Sequence, residues 1–477
     1  MAARPHRAGL RRDRVTGGPP VTENPWDLLP ELLILGGAVT GLLTGAFSAR
    51  ERQGRAAWIS AAALVAAAVA AMAAALRPDG MAFESWALDP LTHVVRVVVA
   101  LATAAVVVLA RRRARGHPRE AELYALLLLA ALGTLALAAA DDLLVLVSAY
   151  LLASVPGYAL AGFAKDGPGT EAALKYYLMG AFLGVPMLAG VTLLYGAAGT
   201  TAYGGLAGER PGIAAVAAVL LLAGVLFKAG AVPAHFWVPD VTQGAPIAVA
   251  AFVTTVPKAG ALAALLRLGG EVFGAAGYGW RPLLGLVAVA TMTLGNLAAF
   301  HQDDVRRLLA YSTIAQAGYA LVPVAVAGAS ALAVPALLFY VAAYAVTNLG
   351  AFAVVAATGR TTLAGQTGLA RRSPALAVAL TVCLLGLVGT PPTAVFAGKL
   401  LVLGAAWDGG HPWLAVAVVV NTVISLFYYL RWIRPVFAGG DAGRPDPWAA
   451  GIACAAAALS VVLGIGAGAV TPLMSLG

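Results

Sequence analysis

Of the 31 basic residues in the 477-residue chain, twenty-six are arginine and five are lysine: Lys165, Lys175, Lys228, Lys258 and Lys399. The arginines gather where apolar stretches end, whereas four of the five lysines lie inside such stretches. The partition has a chemical meaning. A guanidinium stays protonated under essentially all conditions, but a lysine ammonium in low-dielectric surroundings can give up a proton and take it back. A charged side chain at the centre of a bilayer costs roughly 2.5–3.5 kcal/mol on insertion scales, so such residues usually face an interior polar path. Lys228, Lys258 and Lys399 are therefore candidates for proton relay. Lys175 is a further candidate, one turn into its stretch with Glu171 at i−4 as its expected partner.

The neighbours of each lysine sharpen the expectation. Lys228 follows a charge-free run from Ala214 to Phe227 and precedes Pro233 in the pattern K-x4-P. Lys399 follows Pro391 and Pro392 in the reverse pattern P-x6-K. The reversal predicts two broken helices related by inverted topology, with these two lysines at similar depths. Unwound backbone at membrane depth is tolerated only where it is buried in protein or lines a cavity. Lys258 lies about thirteen residues into "APIAVAAFVTTVPKAGALAALLRL", near the bilayer midplane at roughly 1.5 Å per residue.

The elements that must position these residues follow from composition. With 61% hydrophobic and 11% charged residues, the chain belongs to the polytopic membrane class. Fourteen apolar stretches near the spanning length of about 20 residues run from residue 29 to residue 472; those at 211–236 and 374–405 carry the K-x4-P and P-x6-K patterns. The expected organisation is a basic, Pro- and Arg-rich tail over residues 1–28 and one all-α transmembrane domain over 29–477. No connection is long enough for a soluble Rossmann or flavin domain. Cys383 and Cys454 are too few for an iron–sulfur cluster, which takes about four ligands.

The net charge of +9 does not point to nucleic acid, because the cations follow topology. Seventeen Arg and Lys lie in connections after odd-numbered stretches, from Arg50, Arg52 and Arg55 to Arg431, Arg434 and Arg444. Only Arg77, Arg210, Arg267 and Arg281 follow even-numbered ones. The positive-inside rule then places the odd connections in the cytoplasm and both termini outside, on a cell membrane. The tail disagrees, since Arg4, Arg7, Arg11, Arg12 and Arg14 alone favour the cytoplasm.

"FKAGAVPAHFWVPDVTQGAP", "FVTTVPKAGALAALLRL", "GNLAAFHQDDVRRLLAYSTIAQAGY", "YAVTNLGAFAVV" and "GTPPTAVFAGK" together resemble the antiporter-like membrane subunits of respiratory complex I. "EAALKYYLMGAFLGVPMLAGVTLLYGAAGT" and "NTVISLFYYLRWI" bring the resemblance closest to the subunit N family of NADH-quinone oxidoreductase. It covers most of the chain from about Leu123 to Phe437. The resemblance implies fourteen helices with two inverted five-helix repeats, roughly 123–268 and 281–437. It also implies a proton path through a half-channel, a central and a terminal lysine, which map onto Lys228, Lys258 and Lys399. NADH, FMN, iron–sulfur clusters and quinone are then expected in partner subunits, with no cofactor in this chain. The expected partners are the other membrane subunits and the lipid bilayer. Two positions depart from the family. Leu151 stands where the fifth helix usually carries a glutamate that pairs with the first lysine, and Gln316 stands where a histidine is common. The missing carboxylate leaves open a non-pumping structural paralogue, and related helices leave open a cation/proton antiporter or membrane-bound hydrogenase subunit. His93, Arg96 and His301 are expected to be packed or interfacial.

Overall fold

The structure, a computed structural model, describes residues 20–206, 211–273, 279–439 and 444–474. Residues 1–19 of the expected tail, and with them the five tail arginines, lie outside the described residues, as does Arg210. The chain forms helices α1 (Leu29–Ala46), α2 (Arg55–Ala74), α3 (Pro90–Ala114), α4 (Glu120–Ala139), α5 (Leu143–Ala161) and α6 (Gly167–Ala198). There follow α7 (Pro211–Ala229), α8 (Trp237–Gly244), α9 (Ile247–Arg267), α10 (Trp280–Ala299), α11 (Val305–Ala325) and α12 (Ala333–Thr358). The last six are α13 (Leu369–Arg372), α14 (Pro374–Val388), α15 (Ala394–Asp408), α16 (Pro412–Val436), α17 (Pro447–Ile465) and α18 (Ala467–Val470). Among the described residues thirteen helices are long and apolar enough to cross a membrane. The remaining expected stretch, 374–405, is split into α14 and α15, whose 15 residues each fall short of a crossing.

Lipid offers no hydrogen bonds to a helix start, so the first turn must be satisfied from within. Asp89, Asp142, Asp166, Asp304 and Asp446 do this, each accepting from one or two backbone N–H groups of the helix that follows. These carboxylates therefore sit at helix starts for a structural reason. At one end of the bundle a small sheet pairs Val21–Thr22 in parallel with Gly80–Ala82, which pairs antiparallel with Trp86–Leu88. The N-terminal segment and the second connection thus share one end of the molecule.

Helix α9 is the axis. Every residue from Ile247 to Arg267 is buried, and α3, α4, α7, α8, α11 and α12 pack around it. Gly260 lets α4 come that close, since a Cβ there would lie 2.3 Å from the Thr134 carbonyl oxygen. The outer helices expose Leu, Val and Phe, as expected of surfaces whose solvent is hydrocarbon. Arg267, expected in a connection, is instead buried at the end of α9, where its guanidinium lies 2.8 Å from Asp89 and 3.3 Å from Glu271. A buried guanidinium with carboxylates beside it ties α9 to the start of α3 rather than marking a membrane side.

Candidate proton-transfer site

The first helix break places two lysines. Helix α7 ends at Ala229, Gly230 turns left-handed at φ +69°, and the chain resumes as α8 at Trp237. Tyr176 stacks on Trp237 at 4.2 Å, and the Trp237 indole N–H donates to the Phe227 carbonyl at 3.1 Å, fixing the break from one side. The last carbonyls of a helix lack intrahelical partners and carry the negative end of its dipole. Lys258, reaching across from α9, donates to one of these, the Ala229 carbonyl, at 2.6 Å. Gly230 is required twice: its φ suits glycine, and a Cβ there would lie 2.4 Å from the Lys258 Nζ.

Lys228 is fully buried on α7 itself, and its Nζ has no hydrogen-bond partner among the described residues. It lies 5.3 Å from the Tyr150 ring and 6.0 Å from the Tyr176 ring, within cation–π range. Tyr150 is the residue of α5 that faces it. Leu151 is 51% exposed on the outer side of α5, because neighbouring helix positions point about 100° apart.

The second break repeats the device with a different donor. Helix α14 ends at Val388, Gly389 turns left-handed at φ +89°, and α15 begins at Ala394. Lys399 on α15 folds back to donate to the Val388 carbonyl at 2.9 Å and to the Thr422 hydroxyl at 2.9 Å. Its ammonium lies 3.9 Å from the centre of the Tyr319 ring. By environment Lys399 is therefore the counterpart of Lys258, although the mirrored proline spacing matches it with Lys228.

Buried polar side chains lie between the two breaks in hydrogen-bonded groups. One turn before Lys258, Thr254 and Thr255 accept from the Asn348 amide at 3.3 and 2.9 Å. Tyr344 donates to the Thr254 carbonyl at 2.7 Å and reaches the Thr313 hydroxyl at 3.0 Å. Gln316, one turn along α11, accepts from Tyr340 and donates to the Leu387 carbonyl at 2.9 Å, beside the carbonyl that holds Lys399. Beyond Tyr319 the series continues through Asn296, Asn421 and Tyr428. Gln316 is thus hydrogen-bonded on both ends of its amide. Reasoning from charge alone missed Tyr340, Tyr344, Asn348, Thr254 and Thr313. The available signal was their spacing: Tyr340, Tyr344 and Asn348 recur every four residues along one face of α12.

The other candidates stand apart from these groups. Lys175 is half-exposed, with its Nζ 2.6 Å from Glu171 and 2.8 Å from Asp240. Asp240 also accepts from Arg307 at 2.8 Å, so one carboxylate ties α6, α8 and α11 together. Burial pushes the Asp240 carboxyl up, but hydrogen bonds from Lys175 and Arg307 outweigh it and hold the group below the usual carboxylate range. Arg96 is buried against Glu31 at 2.7 Å, with His93 Nδ1 3.3 Å from it, and His301 is exposed beyond the end of α10.

A polytopic bundle with two broken helices, each ending on a buried ammonium, is the architecture of an antiporter-like ion-translocating membrane subunit. Residues 140–425 match the family described as NADH:quinone oxidoreductase/Mrp antiporter, TM. The chain belongs to that family, in its NADH-quinone oxidoreductase subunit N branch. It is 53% identical over 462 residues to NADH-quinone oxidoreductase subunit N 1 of Streptomyces griseus, covering 95% of this chain and 98% of the relative. It is 50% identical to NADH-quinone oxidoreductase subunit N of Mycobacterium sp. strain JLS, covering 94% and 98%. A chain of respiratory complex I from Thermus thermophilus superposes with a TM-score of 0.83 at 36% identity, over 94% of this chain and all of that one.

Proposed function

We propose that the chain moves protons across the bacterial plasma membrane as a membrane-arm subunit of NADH-quinone oxidoreductase, with Lys228, Lys258 and Lys399 as its protonatable steps. Electron transfer from NADH to quinone, and the FMN and iron–sulfur groups it needs, belong to partner subunits. Moving one charge against 100 mV costs about 2.3 kcal/mol, which the redox reaction elsewhere must supply. The observation that carries this reading is the succession of buried, hydrogen-bonded hydroxyl, amide and carbonyl groups lying between two lysines that cap the broken ends of helices. A helix-end carbonyl stabilises the charged ammonium more than the neutral amine, which donates a weaker hydrogen bond, so proton transfer and seating on the helix end are linked. Lys228 stands one peptide unit from the carbonyl that holds Lys258.

The halves 123–268 and 281–437 are read as the inverted repeats, with one broken helix in each. The odd connections are read as cytoplasmic and the termini as external. The exposed Lys175 and Glu171 are read as holding α6 to α8 through Asp240 rather than as relay steps. A non-pumping role has one observation in its favour, the absence of a carboxylate near Lys228 among the described residues. Proton uptake during NADH oxidation in sealed inverted vesicles separates the two. Lys228→Ala at equal complex abundance is expected to lower protons moved per electron; an unchanged ratio would assign Lys228 to structure.

A further inference from the structure

At the end of the bundle that carries the odd connections, α3 finishes in Arg111, Arg112, Arg113 and Arg115, four cations in five residues. Arg111 is held between two indoles, its guanidinium carbon 4.7 Å from the Trp58 ring and 5.4 Å from the Trp448 ring. Cation–π attraction to the indoles positions a guanidinium without using up its N–H donors. Among the described residues no carboxylate lies within 4.0 Å of Arg111 or Arg115, and the acid beside Arg112, Asp446 at 3.5 Å, already caps α17. Arg111, Arg112, Arg115, Trp448 and Val108 enclose a cavity of about 100 Å³. Three guanidiniums around one small cavity, with a single carboxylate at its margin, form a receptor for an anion that donates no proton of its own. The floor of the cavity is apolar Val108, and the helices on either side expose Val65 and Val69 on α2 and Leu459 and Val462 on α17.

We propose that this cavity binds the phosphodiester of an anionic phospholipid, with the guanidiniums on the phosphate and the acyl chains along α2 and α17. Basic pockets between transmembrane helices at the membrane surface suit anionic headgroups, and bidentate guanidinium contacts suit phosphate oxygens. A soluble phosphate would use the same guanidiniums and gain nothing from the apolar flanks, so the flanks assign the source to the bilayer. The lipid would tie α3, the start of α2 and the start of α17 together where few protein hydrogen bonds cross.

The test uses the intact oxidoreductase in vesicles doped with photoactivatable phosphatidylglycerol or, separately, photoactivatable phosphatidylcholine, with labelled peptides identified by mass spectrometry. Phosphatidylglycerol is expected to label the peptides carrying Arg111–Arg115 and Trp448 several-fold more than phosphatidylcholine does. Arg111→Gln with Arg115→Gln is expected to lower that labelling by about tenfold, the loss of one or two charge-assisted contacts, while labelling elsewhere stays unchanged. Should the double variant fail to assemble, Arg115→Gln alone serves, since Arg115 is exposed and closes the helix. Equal labelling by the two lipids would reduce the site to ordinary boundary lipid and overturn the proposal. So would absence of label, which would mean a neighbouring subunit covers the cavity, or displacement of the label by excess inorganic phosphate, which would mean a free anion site.

Discussion

Gly230→Ala tests the helix-end seating of Lys258 without touching a titratable group. A Cβ at residue 230 would sit 2.4 Å from the Lys258 Nζ and 2.9 Å from the Val238 Cγ2, so the ammonium is pushed from the position in which it holds the Ala229 carbonyl at 2.6 Å. Loss of a hydrogen bond to a charged group costs about 1.5–3 kcal/mol, and a left-handed alanine about 1–2 kcal/mol more. Taking roughly 2 kcal/mol for the seat alone, its occupancy falls roughly 30-fold. NADH oxidation by an artificial acceptor, which needs only the partner subunits, is expected to persist in inverted vesicles at native complex abundance. Proton uptake per electron is expected to fall. Gly451→Ala, at a helix position where a Cβ meets nothing within 4 Å, serves as a silent control. A Gly230→Ala complex that assembles and keeps the native proton-to-electron ratio would refute the reasoning, because the seat would then have no part in transfer.

Leu151→Glu is expected to leave that ratio unchanged, since the new carboxylate would lie on the exposed side of α5 while Tyr150 faces Lys228; a raised ratio would show that α5 can turn to present it. Arg96→Ala leaves Glu31 buried and unpaired, a loss of about 3–5 kcal/mol, so the subunit should fall in membrane abundance, while Arg96→Met with Glu31→Met should recover most of it. Asp240→Asn should lower the thermal stability of the solubilised complex, with a sign set by the depressed carboxyl. A group whose folded value lies below its unfolded value contributes in full above the unfolded value, near pH 4, and loses that contribution as pH falls through the folded one. The stability gap between native and variant should therefore be flat from pH 7 to 5 and narrow only below about 4; a gap that closes between 7 and 5 would contradict the assignment.

The crossing helices, the two proline breaks and the three buried lysines were legible because each leaves a one-dimensional signal: a long apolar run, a proline within it, a charge where none is cheap. What surrounds the lysines was less legible. Asn348 and Thr255 are 93 positions apart, and Gln316 and Leu387 are 71 apart, so no local pattern announces that they meet. Arg267 was misplaced because an arginine near the end of an apolar run looks the same whether it snorkels to a headgroup or turns inward to Asp89. Lys175 read as intramembrane because its neighbours are apolar, yet α6 begins at Gly167 and leaves it near the end of the helix, where Glu171 and Asp240 can reach it.

The two breaks show what is constant in this architecture. In each half a helix stops at a carbonyl, the next residue is a glycine with positive φ, and an ammonium caps the carbonyl; the lysine comes from the following helix in one half and from the broken helix itself in the other. Capping the dipole end is thus the shared requirement, and the sequence position of the lysine is free to differ. Thr422 on α16 completes the comparison, since it bonds Lys399 from the helix that follows the second break, as Lys258 itself follows the first. Lys228 then has no counterpart in the second half. It is the ammonium with neither a carbonyl nor a carboxylate, so its charge is held only by the faces of Tyr150 and Tyr176. Of the three lysines Lys228 thus has the fewest fixed polar contacts, and in the proposed relay it is the step most open to control by what approaches α5 and α6 from outside the chain.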